Sequence, residues 1–359
     1  MPKTKETLKA SVVAKVNVKK NGFDLSKFKK TKHLDETSKF KKQEFFKLSP
    51  AFQEALSIPG LPKGHITLLR GHSDTGKTTA MIEAIISVQK EGSLPVIIVT
   101  EMKWSWDHAI AMGVEATQTV DKETGEISYD GNFIYIDRGS LNTVEDVAAF
   151  MADLLDEQEK GNIPLDLVFL WDSAGSIPCQ QSYDSKKNNN MWNAGAMATQ
   201  FGNFINQKIT LSRKDTQKYT NTFIVVNKVR VEVPMGNVPG AMPKLRNKGG
   251  DALLWDATYV ITFGNVTGPG TVKVKATRDG KNVEWAKIVR ASVDKNHMTG
   301  ISTSGKLVTT IHGFIREEDK EKYKKQHSPE WAKILGGSDF QEILEEDNTD
   351  LSIAGENDD

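Results

Sequence analysis

Gly71-His72-Ser73-Asp74-Thr75-Gly76-Lys77-Thr78 is the stretch of this sequence best suited to chemistry, and it matches G-x4-G-K-[ST]. Glycines at those positions let successive backbone N–H groups wrap phosphate oxygens, and the N-terminus of a following helix adds partial positive charge. Lys77 is spaced to reach the β- and γ-phosphates of ATP, and the Thr78 hydroxyl to ligate Mg²⁺; Thr79 continues the turn into the helix. Asp172 ends the apolar run Leu165–Asp172, where a carboxylate can hold Mg²⁺ through water. Glu101 stands one residue past the strand that follows the loop's helix. There it can orient or deprotonate an attacking water. Spacing alone does not separate that role from a surface carboxylate at a strand end.

These residues need a scaffold, and the pattern around them supplies one. His65–Arg70 reads as a strand, Gly71–Gly76 as a loop, Lys77–Gln89 as a helix and Leu94–Thr100 as a second buried strand. Trp106–Met112 reads as helical. Residues 118–137, with the polar turn Asp121–Glu126, read as a hairpin insertion. Val144–Glu159 is an amphipathic helix, Met191–Ser212 a long helix, and Thr222–Asn227 another buried strand. Residues 234–250, with three Pro and four Gly, read as a loop. Ala257–Phe263, Thr271–Ala276 and Trp285–Val293 complete the strands. Continuous apolar strands alternating with helices predict an α/β fold with a mainly parallel central sheet flanked by helices.

Composition bounds the rest. Among 359 residues, 47 Lys+Arg balance 47 Asp+Glu, but the balance is uneven along the chain. Residues 1–50 carry 14 Lys against 5 acids, and residues 338–359 carry 9 acids with no Lys or Arg. A basic head and an acidic tail point to polyanion binding with an internal competitor, or to solvated tails. The single cysteine, Cys179, excludes a disulfide scaffold and a cysteine-rich zinc site and fits a reducing cytoplasm. No apolar run is long enough to span a membrane, and the lysine-rich start lacks a secretory core.

Residues 48–92, with Gly60-Leu61-Pro62-Lys63-Gly64 one strand before Gly71…Gly76-Lys77-Thr78-Thr79, resemble the opening of a RecA-type recombinase core. Glu101 followed by Met112-Gly113-Val114 resembles the catalytic-glutamate segment of the UvsX-like recombinases of tailed phages. Leu170-Trp171-Asp172-Ser173 is similar to that family's aspartate strand. The resemblance spans residues 44–315. It implies a RecA-like P-loop NTPase core there, behind an N-terminal arm (1–43) and before a C-terminal helical segment (316–337) and an acidic tail (338–359).

The resemblance also implies roles. Gln180–Asn190 falls on the family's first DNA loop and Val229–Gly250 on the second. In the second, Arg230 would contact phosphate and Val233, or an apolar neighbour, would wedge between base steps. Lys244, Arg246 and Lys248 add charge, and Gly249-Gly250 close the loop. Backbone charge with apolar insertion suits sequence-independent binding. Lys295 resembles a residue that reaches into the neighbouring subunit's ATP site, with His297 where a second cation is usual. His108 takes the place of the adenine-stacking Tyr, with Trp104 and Trp106 nearby. Lys228 replaces the usual Gln or His γ-phosphate sensor. Phe45 and Phe46, within Lys41–Leu48, are expected to anchor the segment on the next subunit of a filament.

The expected function is that of a DNA-dependent ATPase: a strand-exchange protein that forms a homo-oligomeric filament on single-stranded DNA and pairs it with homologous duplex DNA. Its setting would be the cytoplasm, of a host cell if phage-encoded, with a mediator and a single-stranded-DNA-binding protein as further partners. Two alternatives stand beside it. One is a ring helicase of the same superfamily, for which residues 1–43 are short. The other is a non-catalytic mediator, which the intact Glu101 and both loops disfavour.

Overall fold

The computed structural model describes residue 27 and residues 39–232, 243–278 and 281–334. Most of the expected arm, the acidic tail and Val233 lie outside those residues. β1 (Phe45–Phe46) leads to α1 (Pro50–Leu56) and β2 (Leu61–Pro62), which pairs antiparallel with β1. Ser49 caps α1 by accepting the Phe52 N–H, and Pro50 sits in the first turn, where no N–H donor is needed. Phe46 is 1% exposed and packed in this chain's own core. The expectation that it anchors a neighbouring subunit is therefore corrected: its apolar surface is already spent.

β3 (Ile66–Gly71), α2 (Lys77–Lys90), β4 (Leu94–Val99) and α3 (Trp106–Met112) follow as predicted. The insertion differs. β5 (Thr117–Val120) and β6 (Ile127–Asp130) form the hairpin, but β7 (Ile134–Asp137) leaves it and joins the main sheet parallel to β4. Next come α4 (Val144–Glu159), β8 (Leu167–Asp172), α5 (Gln180–Asp184) and α6 (Asn190–Met197). A π-helical segment, Ala198–Ile205, continues α6 into α7 (Asn206–Leu211), so the predicted long helix is wound loosely at its centre. β9 (Thr222–Glu232) is followed by β10 (Lys244–Asn247), α8 (Ala252–Asp256) and β11 (Tyr259–Phe263). The C-terminal part adds β12 (Val272–Arg278), β13 (Lys281–Asn296), β14 (Thr303–Thr310), β15 (Gly313–Ile315) and α9 (Lys320–Ile334).

The main sheet runs β15-β14-β13-β11-β3-β9-β8-β4-β7, with β10 on β9 and β12 on β13. From β11 to β7 every pairing is parallel. The C-terminal strands extend this half antiparallel. Both faces are covered, which explains the near-continuous apolar strands. On one face Leu69, Ile97, Val99 and Leu170 pack with Phe52, Met81, Ile82 and Ile85. On the other, Leu68, Ile98 and Trp171 pack with Val147, Met151, Leu155 and Phe201. Leu68 and Leu69 take opposite sides because strand residues alternate. β4 is not beside β3; β9 and β8 stand between them.

Residues 39–41 and Lys214–Thr216 belong to a small separate unit, in which Phe40 bridges Lys214 and the Asp215 N–H donates to the Lys39 carbonyl. Among the described residues no helix is long and apolar enough to cross a membrane.

Candidate active site and adjoining loops

β3 delivers its last residue, Gly71, against Phe263 of β11, and a Cβ at Gly71 would lie 2.2 Å from the Phe263 carbonyl oxygen. Only glycine lets the backbone turn away there. Gly76 takes a φ of 90° as the N-cap of α2. Asp74 also has positive φ, at 63°, and its carboxylate is ion-paired by Lys287 from β13. Thr75 Oγ1 donates to the His72 carbonyl at 2.8 Å, and the Lys77 ammonium donates to the same oxygen. Burial pulls the Lys77 pKa down to about 8, against the opposing pull of Asp172 and Glu101. An ammonium so poorly solvated is prepared for phosphate oxygens.

The carboxylates arrive on β8 and β4. These strands are parallel, with Asp172 opposite Val99, so Asp172 and Glu101 leave the sheet at the same end as the loop. Thr78 Oγ1 donates to Asp172 Oδ2 at 2.8 Å. Burial raises the Asp172 pKa, and the Thr78 hydrogen bond offsets part of the rise. Ser173, joined to Asp172 by a cis peptide bond, donates its hydroxyl to Glu101 Oε1. Lys228, the last residue of β9 that pairs with β3, places Nζ 2.8 Å from Glu101 Oε2. Burial works against the Glu101 charge, but the Lys228 ammonium and the Ser173 hydroxyl outweigh it and hold the pKa below the usual carboxylate value. A cavity of about 360 Å³ brings together Ser73, Lys77, Thr78, Glu101, Asp172 and Lys228.

One hydroxyl and one carboxylate, in contact and beside a phosphate-binding loop, suit Mg²⁺, which keeps several waters and takes few protein oxygens. Thr78 and Asp172 would hold it.

A second cavity, of about 260 Å³, adjoins the loop through Asp74, Thr75, Gly76 and Thr79. His108, Trp285 and Ile311 line its other side. The side chains of His108, Trp285, Val289 and Ile311 give the cavity a largely apolar lining, which suits a flat heterocycle. Burial keeps His108 below its usual pKa, against a hydrogen bond with the Ile311 backbone. Trp104 lines the first cavity instead, and Trp106 is committed to an aromatic cluster with Phe133 and Tyr135. The two tryptophans pack edge to face at 5.6 Å, and Trp106 stacks on Tyr129 at 4.8 Å.

Lys295 is placed away from this chain's own phosphate loop. It lies opposite Val260, which neighbours Leu68 early in β3. Its ammonium donates to the carbonyls of Leu254 (3.1 Å) and Trp255 (2.6 Å) near the end of α8.

The described residues of the two loop regions include regular structure. In the first, α5 occupies Gln180–Asp184, and Asn193 ties its ends by accepting the Cys179 N–H and donating to Asn188. Tyr183 and Met191 stand 52% and 83% exposed there, an aromatic and an apolar side chain that the sequence reading did not single out. In the second, Val229–Glu232 and Lys244–Asn247 are not irregular: they pair as an antiparallel ladder, with Arg230 opposite Arg246. Arg246 is engaged by Glu232 at 2.6 Å and Asp251 at 3.3 Å, whereas Arg230 is exposed. Gly250 has a φ of 102°, and a Cβ there would meet Ala194 of α6 at 2.7 Å. Gly249 and Lys248 lie against Gly175, so the loop's closing residues seat on the segment that follows Ser173.

The fold and the site define an α/β phosphate-loop domain with a RecA-type core. Residues 26–162 match the family described as the RecA N-terminal domain. Protein RecA of Kineococcus radiotolerans is 32% identical over 112 residues, 30% of this chain and 32% of that protein. Protein RecA of Paenarthrobacter aurescens is 31% identical over 118 residues, covering 32% and 34%. Protein RecA of Borreliella afzelii is 32% identical over 123 residues, covering 33% and 34%. The chain thus matches about a third of the length of each of these relatives.

Proposed function

We propose that this chain is an ATP-dependent DNA strand-exchange protein of the RecA type, nearest the UvsX-like branch. On this reading it polymerises on single-stranded DNA, pairs it with homologous duplex and hydrolyses ATP at subunit interfaces in the cytoplasm. A mediator and a single-stranded-DNA-binding protein would assist loading. The observation that carries the reading is the convergence of Lys77, Thr78, Asp172 and Glu101 on one cavity at the end of the parallel strands.

In that cavity Gly71–Thr79 cradle the phosphates, and Lys77 supplies charge at the β- and γ-oxygens. Thr78 and Asp172 would hold Mg²⁺, which would supply neutralisation of the phosphate charge. Glu101 takes a proton from a water whose oxygen bonds the γ-phosphorus. The bond from that phosphorus to the β,γ-bridging oxygen breaks, and ADP and inorganic phosphate leave. The adenine lies in the second cavity, beside His108. Lys295 acts on a neighbouring subunit's nucleotide. Arg230, Lys244, Arg246 and Lys248, with Val233, Gly249 and Gly250, form the second DNA loop.

Lys77→Ala should abolish ATP turnover, and single-stranded DNA should stimulate the unaltered chain. Turnover that survives Lys77→Ala, or ignores DNA, defeats the reading. Electron microscopy with DNA and a non-hydrolysable ATP analogue should give helical filaments; hexameric rings would favour the helicase.

A further inference from the structure

The carboxylate placed to activate water is already held by two donors of its own chain. Lys228 Nζ lies 2.8 Å from Glu101 Oε2, and the Ser173 hydroxyl donates to Oε1. Glu101 is 11% exposed and Lys228 30%, so the pair is only partly screened by water. A carboxylate with an ammonium on one oxygen and a hydroxyl on the other is a weak proton acceptor, because both contacts favour its charged form. The general base is oriented and restrained at once.

Lys228 also borders the cavity that holds Lys77, Thr78 and Asp172, so a terminal phosphate bound there comes within range of its ammonium. Such a phosphate carries more charge than the single one on Glu101, and both compete for the same Nζ. We propose that Lys228 is a charge lock on Glu101, and that a γ-phosphate opens it. Without nucleotide, or with a diphosphate, the ammonium pins Oε2. With a triphosphate it transfers to the γ-oxygens and frees Oε2 for water, while Ser173 keeps Oε1 oriented. This rests on the reading of Glu101 as the base. Lys228 is a positioning residue in this scheme: it acts on the water through Glu101.

The lock lies close to the second loop. The Lys228 carbonyl accepts the Lys248 N–H at 2.9 Å, and the Asn227 side chain donates to the Lys248 carbonyl at 3.0 Å. A ligand on that loop therefore has a short path to the same ammonium.

The test is steady-state ATP turnover of the full chain without DNA, with kcat and KM determined separately for Lys228→Met, Lys228→Gln and Lys228→Arg. Removing the lock should raise the DNA-free kcat roughly tenfold, part of the about 10²–10⁴-fold that a general base contributes. Lys228→Arg, which keeps a cation, should restore the low rate. A higher KM with unchanged or lower kcat in both neutral variants makes Lys228 a phosphate contact only and overturns the lock. An unaltered chain with no turnover removes the ATPase reading, and the lock with it. If neither neutral variant folds, structures of the unaltered chain with ADP and with a non-hydrolysable triphosphate decide. Lys228 should contact Glu101 in the first and the γ-phosphate in the second, and contact with Glu101 in both overturns the proposal.

Discussion

Asn227 is bound to Lys248: its Nδ2 donates to the Lys248 carbonyl at 3.0 Å. The strand that brings Lys228 to Glu101 and the segment that closes the second loop therefore share a joint, and Gly175 is pressed into it. A Cβ at Gly175 would stand 2.8 Å from the Lys248 carbonyl oxygen and 2.9 Å from Asn227 Oδ1. Gly175→Ala must open the joint without touching Lys77, Thr78 or Glu101. We expect DNA-free turnover to stay within about twofold and DNA stimulation to fall roughly tenfold, the size of an ordinary coupling free energy. Undiminished stimulation in a side-by-side assay would show that the joint carries no coupling.

Glu83 makes the corresponding prediction for stability. It is 8% exposed on α2, and it accepts the Ser49 N–H at 3.0 Å and the Phe314 N–H at 2.9 Å. One side chain thus ties the helix behind the phosphate loop to the start of α1 and to β15. Glu83→Ala leaves two backbone donors without partners, at a cost on the order of 2–5 kcal/mol. Urea unfolding should show the loss as a lower midpoint with an unchanged slope.

What the sequence disclosed follows from how local each signal is. Gly71–Thr78 is contiguous, and the flanking strand and helix obey simple periods, so the loop, Asp172 and the parallel half of the sheet were legible. The contact between Glu101 and Lys228 joins residues far apart in sequence, and nothing in either neighbourhood announces it. Ser173 was quoted as part of a motif, but its bond to Glu101 depends on how β4 and β8 end side by side. β14 was missed because Gly305 looks like a strand breaker. The glycine is there because a Cβ would lie 2.1 Å from the Ala55 carbonyl oxygen. β10 was read as loop because Lys244-Leu245-Arg246-Asn247 is polar and adjoins a Pro- and Gly-rich stretch. Its order comes from pairing with the outer half of β9. Phe46 looked available to a partner because it sits in a short lysine-rich segment. The α1 region folds back and buries it.

His65 sets a pH dependence. It is 5% exposed, with Nδ1 2.9 Å from Thr258 Oγ1 and Nε2 3.0 Å from Gln43 Oε1. Burial, and then the nearby Arg213 charge, lower its pKa from 6.5 to about 4. Between those values the unfolded chain binds a proton that the folded chain refuses. Stability should therefore fall as pH drops from about 6.5 toward 4, by roughly 3 kcal/mol at the full extent, and this contribution should be flat above that window. His65→Gln, which keeps one donor and one acceptor, should remove that part of the slope. Identical acid sensitivity in both proteins would assign it to other groups.

Arg230 and Arg246 face each other across the second-loop ladder, yet their surroundings differ. Glu232 and Asp251 engage Arg246, while Arg230 is exposed and makes no ion pair among the described residues. If this loop grips a phosphate backbone, Arg230 is the available cation and Arg246 must first be released. Arg230→Ala should weaken single-stranded DNA binding and reduce the slope of log affinity against log salt by about 0.7, the share of one phosphate contact on a single strand. Arg246→Ala should cost less. Glu232→Gln should tighten binding, because it removes a negative charge and frees the Arg246 Nε donor. Fluorescence anisotropy with a labelled oligonucleotide across a salt series measures all three. Equal losses for the two arginines, with no gain for Glu232→Gln, would mean that the ladder rearranges when DNA binds and that the pairing seen here does not set the loop's affinity.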